Sequence, residues 1–300
     1  MLEEFDIISY LEDSNIPYSD EGKNISSNWI GLQCPLCDDT STHLGVNLDS
    51  KSFSCFRCGE KGNAIKLVAI LERISQKKAV KIVRKYFDSN FFLNPREEIK
   101  HTDSVQLPLG VTKNFTSTHL EYLQNRNFNP QYLINKYNLY AGGVVGEFAH
   151  RIVAPVYLDK KLISFVGRDI TNLAEKRYKN LSNEKSSVEI KKILYNIDTV
   201  KQDVILVEGL FDVFRIGDGC VATLGTVVTN EQILLLKGLR NVFILFDSEE
   251  KDKNAKRQAE ELASRISLFV KNVETINLTK GDPCDMLEDE VLQLRKEINI

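Results

Sequence analysis

The sequence has no run of apolar residues approaching the ~18–20 that a membrane-spanning helix needs, so we expect no membrane partner. Acidic residues begin the chain, where a secretory signal would have a basic segment and a long apolar one. We therefore expect a cytoplasmic protein with reduced thiols. The phosphate-binding pattern G-x-x-x-x-G-K-[ST] is also absent, which excludes a motor domain of that class. With 300 residues, the chain has room for two or three domains.

Charge is distributed unevenly along the chain. Residues 1–50 have a net charge of −9, residues 51–200 of +11, and residues 201–300 of −5. A basic centre followed by an acidic end predicts a polyanionic partner and, separately, a carboxylate-rich site. A solvated surface of mixed charge would give the same numbers, and charge alone favours that interpretation.

Four of the 6 cysteines form two C-x-x-C pairs, Cys34 with Cys37 and Cys55 with Cys58. Two such pairs at this spacing are typical of tetrahedral zinc coordination by thiolates. We therefore predict one structural Zn²⁺ per chain, with His43 as a less favoured replacement for one sulfur. Disulfides are disfavoured because the expected compartment is reducing.

Three aromatic residues, Trp29, Phe53 and Phe56, flank the cysteine pairs and have basic residues nearby. Aromatic rings among cations can stack on nucleic-acid bases while the cations bind phosphates. The alternative is that at least Trp29 and Phe53 form the small core of the zinc-binding segment. The sequence leaves both interpretations open.

After residue 200, strands alternate with helices, a pattern that predicts a parallel sheet with helices on its faces. Acidic residues follow three of its predicted strands, and these are Glu208, Asp212, Asp247, Glu249 and Asp282. In an open parallel sheet, ligands bind at the edge formed by the carboxyl ends of the strands. Oxygen-rich sites of this kind suit Mg²⁺ or Mn²⁺, so we predict a divalent metal site there.

Three groups of motifs occur in a fixed order along the chain. They are NWIGLQCPLC with FSCFRCGEKGNAI; then HRIVAPVY, FVGRDI, RYKN and ILYN; then VILVEGLFDVF, ATLGTVVTNEQ, ILFDSEE and GDPCD. The first group resembles the zinc ribbon of bacterial and phage DNA primases, and the second their basic subdomain. The third resembles the Toprim domain. The ordered set resembles the DnaG-type DNA primases over about residues 5–290.

This resemblance implies an α/β protein with three parts. A zinc-ribbon domain (1–95) precedes a mixed α+β basic subdomain (96–200) and a Toprim parallel-sheet domain (201–300), and the polar stretch at 88–110 predicts a linker. The implied activity is primer synthesis, in which ribonucleoside triphosphates are joined on a single-stranded DNA template. A replicative helicase acting in trans is the implied partner. Little sequence remains after the Toprim segment for the helicase-binding domain of full-length bacterial primases.

The resemblance also assigns roles to individual residues. The catalytic set is Glu208, Asp247 and Glu249; Asp212 and Asp282 complete the Mg²⁺ or Mn²⁺ ligands. The nucleotide- or template-binding set is Arg151, Arg168, Lys176, Arg177, Tyr178, Asn180 and Lys191 or Lys192. A recombination mediator similar to RecR, a Toprim nuclease and a non-catalytic DNA-binding adaptor are the alternatives, and ribonucleotide incorporation on single-stranded DNA would separate them from a primase.

Three positions depart from the family pattern. Glu249 replaces the usual Asp, and Cys37 stands where many cellular members have His. The last acidic motif, usually D-P-D, reads D-P-C-D, so the sequence leaves open whether Cys284 or Asp285 occupies its final position.

Overall fold

The computed structural model describes residues 2–22, 25–37, 39, 41–87, 105–225 and 227–300. Two compact units are present: the first lies within Met1–Pro95 and includes Ser264–Phe269, and the second lies within Arg96–Ala263 and Val270–Ile300. Most of the predicted linker, residues 88–104, lies outside the described residues. The division into three domains stays a prediction.

The first unit is built on an antiparallel sheet flanked by short helices. Its strands pair in chain order: β1 (Tyr18–Ser19), β2 (Trp29–Leu32), β3 (Leu44–Asn47), β4 (Ser52–Cys55) and β5 (Lys61–Asn63). Its helices are the 3₁₀ turn Leu2–Glu4, α1 (Ile7–Asp13), α2 (Ala64–Leu71), α3 (Gln76–Val83) and the 3₁₀ turn Arg84–Tyr86. Asn63 begins α2, since its side-chain oxygen accepts the Lys66 N–H at 3.1 Å.

The second unit contains an antiparallel sheet of order β10-β9-β8-β7-β6. Its strands are β6 (Val111–Thr112), β7 (Tyr140–Gly142), β8 (Arg151–Leu158), β9 (Lys161–Asp169) and β10 (Tyr178–Asn180), with α4 (Ser117–Gln124) and α5 (Pro130–Lys136) between β6 and β7. The turn between β8 and β9 forms at Asp159 and Lys160, both with positive φ. Their N–H groups donate to the Asp198 carboxylate at 2.8 and 2.7 Å, which stabilises this turn.

A parallel sheet of order β12-β11-β13-β14 completes the second unit. Its elements are β11 (Asp203–Val207), α6 (Leu210–Ile216), β12 (Cys220–Ala222), α7 (Asn230–Leu234), β13 (Asn241–Leu245), α8 (Ala255–Ile266), β14 (Asn272–Ile276) and α9 (Glu288–Glu297). The alternation of strands and helices predicted after residue 200 is confirmed. A capping box of Thr229 and Gln232 begins α7.

One apolar core joins the two sheets of the second unit. It includes Ile152 and Val156 of β8 together with Ile205 of β11 and Phe211 of α6, all at most 2 % exposed. This shared core holds the antiparallel sheet, which carries the predicted basic residues Arg151 and Arg168, against the parallel sheet. The predicted α/β fold class is confirmed. Among the described helices, none is long and apolar enough to cross a membrane.

Candidate metal centres and their surroundings

The four cysteines of the first unit converge on one point. Their Sγ atoms all lie within 4.8 Å of one another, with Cys34 to Cys58 at 3.8 Å and Cys37 to Cys55 at 3.9 Å. Sulfurs bound at ~2.3 Å around a tetrahedral Zn²⁺ are separated by about 3.8 Å. The four thiols are free rather than disulfide-bonded, so the donor set and spacing fit zinc.

Asp39 organises the first cysteine turn from within. Its buried carboxylate accepts the N–H groups of Cys34, Ser41 and His43 at 3.0, 2.9 and 2.8 Å. It also pairs with His43 Nδ1 at 2.7 Å, and His43 is not part of the clustered donors. Burial opposes ionisation, but the hydrogen bonds from His43 and the backbone hold the pKa of Asp39 well below its usual range.

The aromatic residues near the cysteines divide between core and surface. Phe53 is 2 % exposed and belongs to the core, as one interpretation predicts. Phe56 is 79 % exposed, and Trp29 is half-buried. A Cβ at Gly45 would lie 3.2 Å from the Trp29 ring and 3.7 Å from the Phe56 ring. Gly45 therefore leaves a shallow surface between two rings on one side of the sheet.

Acidic side chains meet at one edge of the parallel sheet in the second unit. Glu208 follows β11, Asp247 follows β13, and Asp282 begins the 3₁₀ turn Pro283–Asp285 after β14. These strands are neighbours in the sheet, so their carboxyl ends lie side by side. Asp212, in the first turn of α6, accepts the Gly209 N–H at 2.8 Å. A Cβ at position 209 would lie 2.8 Å from that carboxylate oxygen, so a larger residue there would displace the Asp212 side chain.

The acids at this edge resist losing their protons. Burial and then the charge of Asp247 raise the pKa of Glu208 to about 7. Burial and then the charge of Asp282 raise the pKa of Asp212 to about 7 as well. Burial also raises the pKa of Asp247. Two charges 4 Å apart repel by about 4 kcal/mol at an effective dielectric of 20, so the cluster favours a bound cation.

A lysine that the sequence analysis did not identify lies among these acids. Lys251 Nζ forms an ion pair with the Asp282 carboxylate. Its positive charge partly offsets the rise in the pKa of Glu208 and of Asp247. Asp252 acts in the opposite direction on both acids. No motif predicted either residue, because only the folded loop after β13 brings them to the edge.

Of Cys284 and Asp285, Cys284 lies among the acids at this edge. Its Sγ lies within 4.8 Å of carboxylate oxygens of Asp212 and Asp282, and the residue is 4 % exposed. Burial raises the pKa of the Cys284 thiol to about 12. Asp285 is exposed, and its carboxylate accepts the Asp282 N–H at 3.4 Å instead. Glu249 is also exposed and lies outside this three-residue group.

Arg168 reaches the same region from the antiparallel sheet. Its guanidinium lies 4.7 Å from the Tyr178 ring centre and 5.7 Å from that of Phe211, which precedes Asp212. Its Nε donates to the Tyr122 hydroxyl at 2.9 Å. Arg168 is 6 % exposed, so its charge is held by aromatic faces and one hydroxyl.

The other predicted nucleotide-binding residues lie in two kinds of position. Arg151 is buried, and its guanidinium donates to the carbonyl oxygens of Arg177 and Lys176 at 3.1 Å each. The side chains of Lys176 and Arg177 are exposed, whereas Asn180 and Lys191 are half-buried. Arg151 thus stabilises the backbone from which two exposed cations project.

Arg126 is a second cation that the motifs did not identify. Its guanidinium lies 4.9 Å from the Phe211 ring centre. Burial opposes its charge, but neighbouring acidic groups, Cys284 first among them, raise the pKa of Arg126 above its ordinary value. Arg215 ties the two segments together, donating to the carbonyl oxygens of Arg126 and Cys284 at 2.9 Å each. Only the tertiary fold brings these residues together.

Comparison with known proteins gives consistent matches. Residues 1–98 match the CHC2 zinc finger of the DnaG zinc-ribbon family. A DNA primase of Helicobacter pylori (strain J99) is 24% identical over 99% of this chain and 60% of its own length. A DNA primase of Aquifex aeolicus is 27% identical over 79% of this chain and 56% of its own length. The resemblance to the DnaG-type DNA primases is confirmed.

Among solved structures, the zinc-binding and RNA polymerase domains of the Aquifex aeolicus primase are similar to this chain. The match has a TM-score of 0.49 and 23% identity, and it covers 99% of this chain and 84% of that one. The chain spans little more than half the length of the curated primases it matches.

Proposed function

We propose that the chain is a DNA primase, a nucleotidyltransferase that joins ribonucleotides into short primers on single-stranded DNA. One observation carries the proposal: the zinc ribbon and the acidic edge occur in the same order as in primases, with similarity over 99% of this chain. The acidic edge supplies the chemistry and the ribbon supplies a second, independent site.

The donor set at the acidic edge fits Mg²⁺ or Mn²⁺, because buried carboxylates there have raised pKa values that a cation would relieve. Bound ions would neutralise the charge that develops on the transferred phosphoryl group. Glu208, at the carboxyl end of β11, would accept the proton of the attacking hydroxyl. Asp247, Glu249, Asp212 and Asp282 would hold the ions.

The antiparallel sheet β6–β10 and the basic residues on and beside it would bind the nucleotide and the template strand. Arg168, Tyr178 and Asn180 lie on neighbouring strands β9 and β10, where Tyr178 pairs with Arg168. The exposed Lys176 and Arg177 would contact phosphates, and Lys191 would add a further cation. In this proposal Arg151 positions the segment that carries Lys176 and Arg177.

The ribbon would select where primers begin. Phe56 presents an exposed ring near the Zn²⁺ site, and rings of this kind stack on unpaired bases. Base contacts give sequence preference, whereas phosphate contacts mainly position the strand. A replicative helicase in trans is the further partner that this assignment implies.

The test is a primer-synthesis assay with single-stranded DNA, labelled ribonucleoside triphosphates and either Mg²⁺ or Mn²⁺. The wild type should make short ribonucleotide products that require template, and Glu208→Gln should make none. Glu250→Gln is the matched control. Glu250 is exposed in the loop after β13 and is not among the predicted site residues, so this variant should retain activity. Template cleavage without ribonucleotide incorporation would instead identify a nuclease, and no reaction with intact DNA binding would favour the adaptor.

A further inference from the structure

We propose that Cys284 is a direct ligand of a divalent ion that is also held by Asp212 and Asp282, and that this ion is softer than Mg²⁺. This inference rests on the proposed metal-dependent function of the same edge. It concerns the one position where the chain departs from an all-carboxylate motif and where the structure puts a sulfur among the acids.

The geometry fits a shared ion. Oxygen and sulfur donors lie about 2.0–2.6 Å from the divalent ions they bind, so two donors on one ion are at most about 5 Å apart. The three donor atoms of this group lie within 4.8 Å of one another. Small rotations of the side chains would therefore place all three on one ion.

Burial and backbone hydrogen bonding hold Cys284 beside Asp212 and Asp282. The residue is 4 % exposed, and within the described residues its thiol makes no hydrogen bond while it faces two carboxylates. Its carbonyl oxygen accepts the Arg215 Nε–H at 2.9 Å, which fixes the 3₁₀ turn. Asp285 cannot replace it without leaving its contact with the Asp282 N–H. A buried thiol aimed at two carboxylates is an independent indication of a ligand.

Binding an ion would release the Cys284 thiol proton to solvent, and the resulting thiolate would change which ion the site prefers. Mg²⁺ is hard and demands oxygen donors in near-octahedral geometry, whereas softer ions accept sulfur readily. The group should therefore bind Mn²⁺ and, more strongly, Cd²⁺ in preference to Mg²⁺. Replacing the sulfur with a carboxylate should reverse part of that preference.

The first experiment measures metal binding rather than activity. Mn²⁺ and Mg²⁺ affinities of the zinc-loaded full chain are compared with those of Cys284→Asp by competition titration. We expect the ratio of Mn²⁺ to Mg²⁺ affinity to fall about tenfold or more in Cys284→Asp, since even outer contacts of metal sites change affinity by 10–100-fold. An unchanged ratio would overturn the inference.

Cd²⁺ provides a spectroscopic readout of the sulfur itself. The wild type should show a thiolate-to-cadmium absorption band larger than that of Cys284→Ser, because the ribbon contributes equally to both. Cys220→Ala is the matched control, since Cys220 is fully buried on β12 and outside the group. Equal bands in the wild type and Cys284→Ser would show that Cys284 is only a core residue.

A third measurement needs no variant and so does not depend on the variants folding. Mn²⁺ should slow alkylation of Cys284 in the wild type, located by peptide mass spectrometry, with Cys220 as the internal reference. An unchanged rate contradicts the inference. Sulfur coordination without primer synthesis would refute only the proposed function, and primer synthesis without sulfur coordination would refute only this inference.

Discussion

The two candidate metal centres of this chain are assembled in opposite ways. The four sulfurs of the ribbon come from two turns between residues 34 and 58, and Asp39 stabilises one turn through backbone N–H groups. The donors of the acidic edge come from separate strands and repel one another, as the raised pKa values of Glu208 and Asp212 show. A local site can be built around its ion, whereas a site assembled by sheet topology must be stabilised by the rest of the fold.

This difference predicts opposite responses to losing a ligand. The ribbon should lose structure together with its ion, because its folding energy includes metal binding. The acidic edge should lose chemistry while its fold is retained or stabilised, because each carboxylate there is a source of repulsion.

Cys55→Ser should have the largest effect. Apparent binding energies of structural zinc are ~10–16 kcal/mol, so removing one sulfur should release zinc and unfold the ribbon while the second unit remains folded. Metal analysis and limited proteolysis would measure this. Cys220→Ala should keep one zinc per chain, and a Cys55→Ser protein that also retains it would contradict the assignment.

Asp247→Asn should reduce primer synthesis by ~10²–10³-fold, the range for removing one electrostatic contact at a reacting centre. Its thermal unfolding temperature should be unchanged or higher, because burial disfavours the Asp247 charge. Glu249→Asp, which restores the usual family residue at an exposed position, should retain activity within a few-fold. Full activity of Asp247→Asn would refute the metal site.

Asp39→Ala should weaken the ribbon more moderately. The substitution leaves the N–H groups of Cys34, Ser41 and His43 without their acceptor, at a cost of ~1–3 kcal/mol for each buried group left unpaired. Chelator competition should show faster zinc release. Asp49→Ala, at an exposed position, is the control and should release zinc at the wild-type rate.

The pH dependence of stability should show the smallest effect. The pKa of Glu208 rises from its ordinary 4.5 to about 7 on folding, so the folded chain keeps a proton that the unfolded chain has lost. The resulting stabilisation is present below pH 4.5 and disappears as pH rises through about 7, and Glu208 alone contributes a slope of at most about 1.4 kcal/mol per pH unit. Asp212, whose pKa is also raised to about 7, adds a decline of the same sign. Urea unfolding without added divalent ions should show this decline.

Two comparisons test whether Glu208 causes this pH dependence. Glu208→Gln should have a flatter pH profile than the wild type, because it has no proton to lose. Saturating Mn²⁺ should also flatten the profile, since the ion replaces the proton. A wild-type free energy of unfolding that rises over the same pH window would contradict the assignment.

The sequence predicted the features that depend on local pattern. Hydrophobic runs located the parallel strands, and cysteine spacing identified the ribbon cluster. It left open the choice between Cys284 and Asp285 because they lie in a 3₁₀ turn, where each residue turns the side chain by about a third of a revolution. Arg126 and Lys251 were not predicted from the sequence, because only tertiary packing places Arg126 against Phe211 and Lys251 against Asp282.

The central claim is that the ribbon chooses where primers begin and the acidic edge joins the nucleotides. The most direct test is to sequence the 5′ ends of primers made on a random single-stranded DNA pool by the wild type and by Cys55→Ser. A parallel reaction would follow extension of a supplied primer. We expect Cys55→Ser to lose initiation or its site preference but to keep extension. Initiation by Cys55→Ser at the same sites, and as often, as the wild type would contradict the claim.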